Sequence, residues 1–202
     1  MPKKEDDRKL GTLLEDQYAI LFVITSKLDI VNYIRDGYNT NKKVLSSNRF
    51  LHFVALNFYR SLIIDFGALF GSGWTHFNSL YHIRNFKDEI EENHYCLIDS
   101  ILQDYNKDRD IVKRIIDLRD TEVAHYDPLT PIINDAGEPV EHRVTISFNW
   151  DCVDDLTELY DIVVQVLGTA SKGIGMNGFL APSNLNNIRL RSLKKLIGDD
   201  DV

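Results

Sequence analysis

FLHFVALNFYRSLIIDFGALF, residues 50–70, is the stretch whose reading decides the fold. Wound as a helix, its apolar residues Phe50, Leu51, Phe53, Val54, Leu56, Phe58, Leu62, Ile63, Ile64 and Phe66 cover nearly the whole circumference. A helix that is apolar almost all round belongs in the middle of a bundle. Ser46, Ser47 or Asn48 can cap its start, and Gly71-Ser72-Gly73 stops it. A membrane span needs ~20 apolar residues. No segment approaches that number, because this richest one carries His52, Arg60 and Asp65. It therefore reads as a core helix.

Upstream, residues 1–9 are a charged lead-in. Thr12-Leu13-Leu14-Glu15 reads as a capping box, and Leu14, Tyr18, Leu21, Phe22, Thr25, Leu28 and Val31 follow at helical spacing. That predicts an amphipathic helix to about Arg35, with a loop over Gly37 to Lys43. Downstream, Asn78 or Ser79 opens a helical stretch carried through Phe86, Ile90, Leu97, Ile98, Ile101 and Leu102 to about Tyr105. After Asn106-Lys107, Asp108 caps a helix running from Arg109 to Tyr126, where Pro128 forces an end. From Pro131 to Phe148 the apolar period shortens around the turn Asn134-Asp135-Ala136-Gly137, which predicts a short β-hairpin. Asn149 or Asp151 caps a last core helix through Leu156, Leu159, Ile162, Val163, Val166 and Leu167, ending at Gly168. The predicted fold is all-α, a bundle of about five helices over residues 10–170 with a β-hairpin insert at about 131–148. Residues 171–202 are a Gly/Asn-rich connector and charged tail.

The 202 residues are 44% hydrophobic and 27% charged, which is globular composition. A net charge of −8 disfavours a generally basic, nucleic-acid-coating surface but leaves room for a local basic cleft. Cys96 and Cys152 form no CxxC, so neither a disulfide framework nor a zinc site is expected, and a reducing cytosol fits. MPKKEDDRKL lacks the apolar run of a secretory signal, so the expectation is a cytoplasmic protein with no membrane segment. Gly173-Ile174-Gly175-Met176-Asn177-Gly178 spells GxGxxG, but it follows a helix rather than a strand, so it is read as a connector. The six histidines contain no HExxH, and there is no serine nucleophile elbow; no metal and no cofactor are expected. His76 and His82 flank an aromatic stretch and read as hydrogen-bonded packing residues. Arg189, Arg191, Lys194 and Lys195 read as a solvated terminal face offset by Asp199-Asp200-Asp201.

The informative segment is Leu118-Arg119-Asp120-Thr121-Glu122-Val123-Ala124-His125-Tyr126-Asp127. At ~100° per residue, with Ile111 at zero, Ile115 falls at ~40°, Val112 at ~100° and Arg119 at ~80°, inside the apolar arc. A guanidinium there costs energy unless it is paired or its face opens onto a cleft or partner. His125, ~120° further round, sits in the last turn beside Leu118. A histidine can exchange the protons that RNA cleavage requires, and a guanidinium can hold the phosphate. The bland alternative is Arg119 paired with Asp65 or Glu122, and His125 as an ordinary helix-end residue.

Arg119-Asp120-Thr121-Glu122-Val123-Ala124-His125 resembles the signature of the HEPN superfamily: Arg, a polar residue, a short spacer and His near the end of a core helix. "LRDTEVAHYD" resembles the RDK-x-(I/V)-AH-x-D pattern of its abortive-infection branch, and the apolar stretch 50–70 followed by FNSLYHI fits the layout. The resemblance implies an all-α homodimer and a metal-independent endoribonuclease acting on RNA, as a toxin with an antitoxin partner or in antiviral defence. It implies Arg119 and His125 as the catalytic pair, Asp120 as the residue orienting Arg119, and Tyr126 as a neighbour in the site. It gives the hairpin no role. A non-catalytic module of the same superfamily, binding a protein partner or nucleotide, is the alternative, and a purely structural helical protein is a third.

Overall fold

The computed structural model describes residues 9–40, 48–71, 76–120, 132–133, 139–140 and 151–176. They form an all-α bundle: α1 (Leu10–Asn39), α2 (Arg49–Phe70), a 3₁₀ segment (Leu80–Glu89), α3 (Glu92–Asp104), α4 (Asp110–Leu118) and α5 (Asp151–Gly173). α1 packs against α2 and α5, α3 against α5, and α4 against α2. Leu14, Leu21, Ile24 and Val31 of α1 meet Tyr59, Leu62, Phe66 and Phe70 of α2 and Val153, Leu156, Leu159, Val163 and Val166 of α5 in one core. Ile132–Ile133 and Pro139–Val140 pair antiparallel, with Ile132 opposite Val140. The other residues of the hairpin expected over 131–148 lie outside the described residues.

Local signals placed several boundaries. Asn48 caps α2, its side chain accepting from the backbone N–H of Phe50 at 3.0 Å and of Leu51 at 3.3 Å. Tertiary burial moved others. α1 begins at Leu10, two residues before the expected capping box, because Leu10, Leu13, Leu14 and Gln17 are all buried and the packed face already needs that first turn. Thr12 is therefore helical rather than capping. The same helix runs through Gly37 to Asn39 instead of stopping near Arg35. α4 starts at Asp110 after Arg109, without a side-chain cap, so Asp108 is not its cap. α5 passes Gly168, around which a Cβ would meet nothing, and ends at Gly173.

The single helix expected from Ser79 to Tyr105 is two elements. Leu80, Ile83 and Phe86 recur every third residue, and that spacing suits the three residues per turn of a 3₁₀ helix, whose buried side chains here are Leu80 and Ile83. The chain then turns extended at Ile90 and Glu91, where the Glu91 N–H donates to the Gly173 carbonyl at 3.0 Å. In the GxGxxG stretch, Gly175 takes φ +72°. Gly175 N–H bonds the Lys172 carbonyl at 3.0 Å and Met176 N–H the Ser171 carbonyl at 2.9 Å, the Schellman ending of α5. Gly173 therefore belongs to the helix and Gly175 stops it, while Asn177 and Gly178 of the stretch read as a connector lie outside the described residues.

α2 is not surrounded. Leu51, Ala55, Tyr59, Leu62, Phe66 and Leu69 face the core. Phe50, Phe53, Asn57 and Ile64 fall within about 60° of one another on the opposite side and are exposed, Phe50 and Phe53 to 64% and 63%. By length and composition α2 alone among the described helices is apolar enough to cross a membrane, so the expectation that no segment approaches this is corrected. Nearly half of its most apolar window is nonetheless buried within the bundle.

Candidate functional site

The end of α4 is placed by its apolar stripe. Ile111, Val112 and Ile115 are buried against the bundle, and Arg119 continues that face just past the last helical residue. Arg114 secures the helix from its other side, its Nε and Nη2 donating to Asp155 of α5 at 3.0 Å each. Arg119 itself keeps helical φ/ψ (−59°, −48°), its N–H bonding the Ile115 and Ile116 carbonyls, so the buried face of α4 runs on to its side chain.

Arg119 therefore reaches α2 at Gly67. Its Nη1 donates to the Gly67 carbonyl at 2.8 Å, while Nε and Nη2 converge on one carboxylate oxygen of Asp120, each at 2.7 Å. A Cβ on Gly67 would stand 2.5 Å from Arg119 Cδ and 3.2 Å from Nη1, so only glycine leaves room for the guanidinium stem. The side chain of Arg119 is 17% exposed and that of Asp120 54%, so the pair lies at the surface with the cation tucked in. Of the partners considered from sequence, Asp65 is engaged elsewhere, with Lys27 of α1. Glu122 lies outside the described residues.

One turn further along α2 the chain repeats the device. A Cβ on Gly71 would stand 2.6 Å from both Cγ and Nδ1 of His76, and 2.6 Å from the Gly67 carbonyl oxygen. His76 thus lies beside Arg119 on a ledge of two glycines. The loop that carries it is fixed at several points. His76 carbonyl accepts from Ser79 N–H at 3.0 Å and bonds His82 Nε2 at 3.1 Å. Buried Gln17 of α1 donates to the carbonyls of Asn78 and Ser79 at 3.3 and 3.0 Å. Tyr81, whose phenol burial pushes up to about 12, donates to the Tyr105 carbonyl at 2.6 Å and holds the 3₁₀ segment down.

Burial, and after it the Arg119 guanidinium, hold the His76 imidazole below its ordinary range; Asp120 acts in the opposite direction and His82 adds to the lowering. The neutral ring is accordingly favoured next to a fixed cation. The cluster combines an oriented guanidinium, a neutral imidazole and a carboxylate, a set able to hold an oxyanion and accept a proton.

Of the residues singled out in the sequence, Arg119 and Asp120 are brought together, whereas His125 and Tyr126 lie outside the described residues. His76 and His82 read from sequence as hydrogen-bonded packing residues; His82 Nε2 does bond the His76 carbonyl, and the His76 ring lies over Gly71 within the electrostatic reach of Arg119. The spacing Gly67-x-x-x-Gly71 in an otherwise bulky helix was the signal that something must approach α2 closely. Among the described residues no group of three His, Cys, Asp or Glu side chains could hold a metal ion. The chain matches no protein-family model, no curated protein and no solved structure.

Proposed function

We propose that the protein is a metal-independent endoribonuclease of the HEPN type, acting in the cytosol as a homodimer in phage defence or in a toxin–antitoxin pair. Arg119 stabilises the phosphate, His125 serves as general acid/base, Asp120 orients Arg119, and Tyr126 neighbours the site. The observation that supports this reading is the placement of Arg119: a part-buried guanidinium at a helix end, oriented by the Gly67 carbonyl and Asp120, with an imidazole beside it. In a partly desolvated setting such a group stabilises developing phosphate charge far better than in water.

A second reading rests on the same hydrogen bonds. Arg119 already ties α4 to α2 within one chain, and a non-catalytic HEPN module binding a protein partner or nucleotide needs nothing more from it. Expression of wild type beside His125→Ala and Arg119→Ala in a bacterial host separates the two. Growth arrest and RNA breakdown from wild type alone, persisting with EDTA-treated purified protein, are the expected result. Intact RNA with all three selects the binding module.

A further inference from the structure

Cleavage of RNA by its own 2′-hydroxyl moves two protons: one leaves the attacking hydroxyl and one arrives on the departing oxygen. His125 can perform one of these at a time. We propose that His76 is a second catalytic imidazole of the site, the base that takes the 2′-hydroxyl proton of a strand whose phosphate Arg119 holds. The inference rests on the ribonuclease reading and adds to it the proton acceptor and the side of the site from which the ribose is met.

The position of His76 carries this. Its ring lies over Gly71 and the Arg119 stem over Gly67, four residues apart: Arg119 Nη1 bonds the Gly67 carbonyl, and a Cβ on Gly71 would stand 2.6 Å from that same carbonyl oxygen and from His76 Nδ1. The ring is only half-buried, so a strand gripped by Arg119 can reach it. Its backbone is held by Ser79 and by His82, making His82 a positioning residue, and buried Gln17 anchors the next turn of chain. Among the described residues the charged and titratable groups that act on it are Arg119, Asp120 and His82, and the net result of burial and these neighbours keeps the ring neutral to lower pH than usual, as a base requires.

In the step, the 2′ O–H bond breaks and its proton goes to the His76 ring. The 2′ oxygen bonds to phosphorus while the P–O5′ bond breaks, its electron pair staying on the 5′ oxygen, which takes a proton from protonated His125. A 2′,3′-cyclic phosphate and a 5′-hydroxyl result, with no water consumed. One proton has moved from His125 to His76, and exchange with solvent restores both.

The test uses the full chain and total bacterial RNA, following cleavage rate against pH for wild type, His76→Gln and His82→Gln. His76→Gln should lower kcat about 100-fold or more with little change in KM, and should abolish the acidic limb of the pH profile; His82→Gln should shift that limb while losing less rate. Wild-type cleavage with His76→Gln within threefold of it, and with the same pH profile, overturns this inference and leaves the ribonuclease reading standing. A wild type that cuts nothing overturns both. Should His76→Gln not fold, the wild-type imidazole resonances decide, assigned through the backbone and titrated with an uncleavable 2′-O-methyl RNA. Perturbation of the His76 ring is expected, and its absence, with Arg119 signals shifted, refutes the assignment.

Discussion

The guanidinium of Arg119 donates through Nη1 to the backbone carbonyl of Gly67, 2.8 Å away and 52 positions earlier in the chain. That bond joins the end of α4 to the last turns of α2 and exists because residue 67 has no side chain: a Cβ there would collide with Arg119 Cδ. The backbone of a helix in the core thus becomes the floor of the candidate site, and a helix-interior glycine, otherwise unfavourable by about 1 kcal/mol relative to Ala, makes the room for Arg119 to lie on it.

Gly67→Ala separates site geometry from stability. The added methyl raises helix propensity, and the atom it meets belongs to a movable side chain, so thermal unfolding should shift by no more than about 1 kcal/mol in either direction. Arg119 must swing away and lose the Gly67 bond, and under the proposed ribonuclease function RNA cleavage should fall at least about tenfold, the loss of one charge-assisted hydrogen bond. Parallel melting curves and cleavage rates check this. A variant as active as wild type would show that Arg119 acts elsewhere than where it now rests.

Asp29 on α1 offers a stability test free of the site. Burial alone raises its carboxyl, and its Oδ2 is buried without a hydrogen-bond partner among the described residues. A folded-state pKa above the unfolded one means that the folded chain binds the extra proton, so stability falls as pH rises through that range. Asp29→Asn should therefore stabilise the protein by about 1 kcal/mol near pH 7. Its advantage should shrink as the pH falls through the carboxylate range, where folded wild-type Asp29 takes up its proton before the unfolded chain does. Urea denaturation at pH 7 and at about pH 3.5, where most of the difference should be gone, measures the change.

Lys27 and Asp65 join α1 to α2 in a part-buried ion pair, with Lys27 also bonded to the Ser61 hydroxyl. Burial raises the Asp65 carboxyl and Lys27 only partly offsets it. Lys27→Met leaves that carboxylate uncompensated and should destabilise the fold by about 1–3 kcal/mol at pH 7. Because the variant's Asp65 would titrate higher still, the deficit should shrink as the pH is lowered through its range. Lys27→Met combined with Asp65→Leu should recover most of the loss in the same denaturation experiment, since the pair then leaves no charge behind.

The segments legible in the sequence are those whose cause is local. α2 with its Asn48 cap and its stop at Gly71, and the apolar repeat of α5, follow from neighbouring residues. What was not legible is set by distant chain. The extended step at Ile90 and Glu91 depends on a bond to the Gly173 carbonyl, and the burial of Leu10 lengthens α1 past its expected cap. The site behaved likewise: periodicity put Arg119 on the apolar face of α4, as found, but which carbonyl would receive it depended on how α4 crosses α2. His76 escaped for the same reason, since nothing within its own loop announces that it rests on Gly71.

α2 itself gives the last prediction, because its apolar circumference led to an expectation of complete burial that its structure does not meet. Phe50 and Phe53 protrude on the side away from Leu62, which is fully buried. If the bundle is held together by the inner face alone, Phe50→Ser with Phe53→Ser should change unfolding free energy by no more than about 0.5 kcal/mol. Leu62→Ala, by contrast, should cost about 2–5 kcal/mol through lost contacts and a residual cavity. Denaturant titrations at two protein concentrations report the comparison. A double serine variant that unfolds as readily as Leu62→Ala would show that the outer face is covered in the folded protein in solution, and a wild-type midpoint that rises with concentration would identify the cover as a second copy.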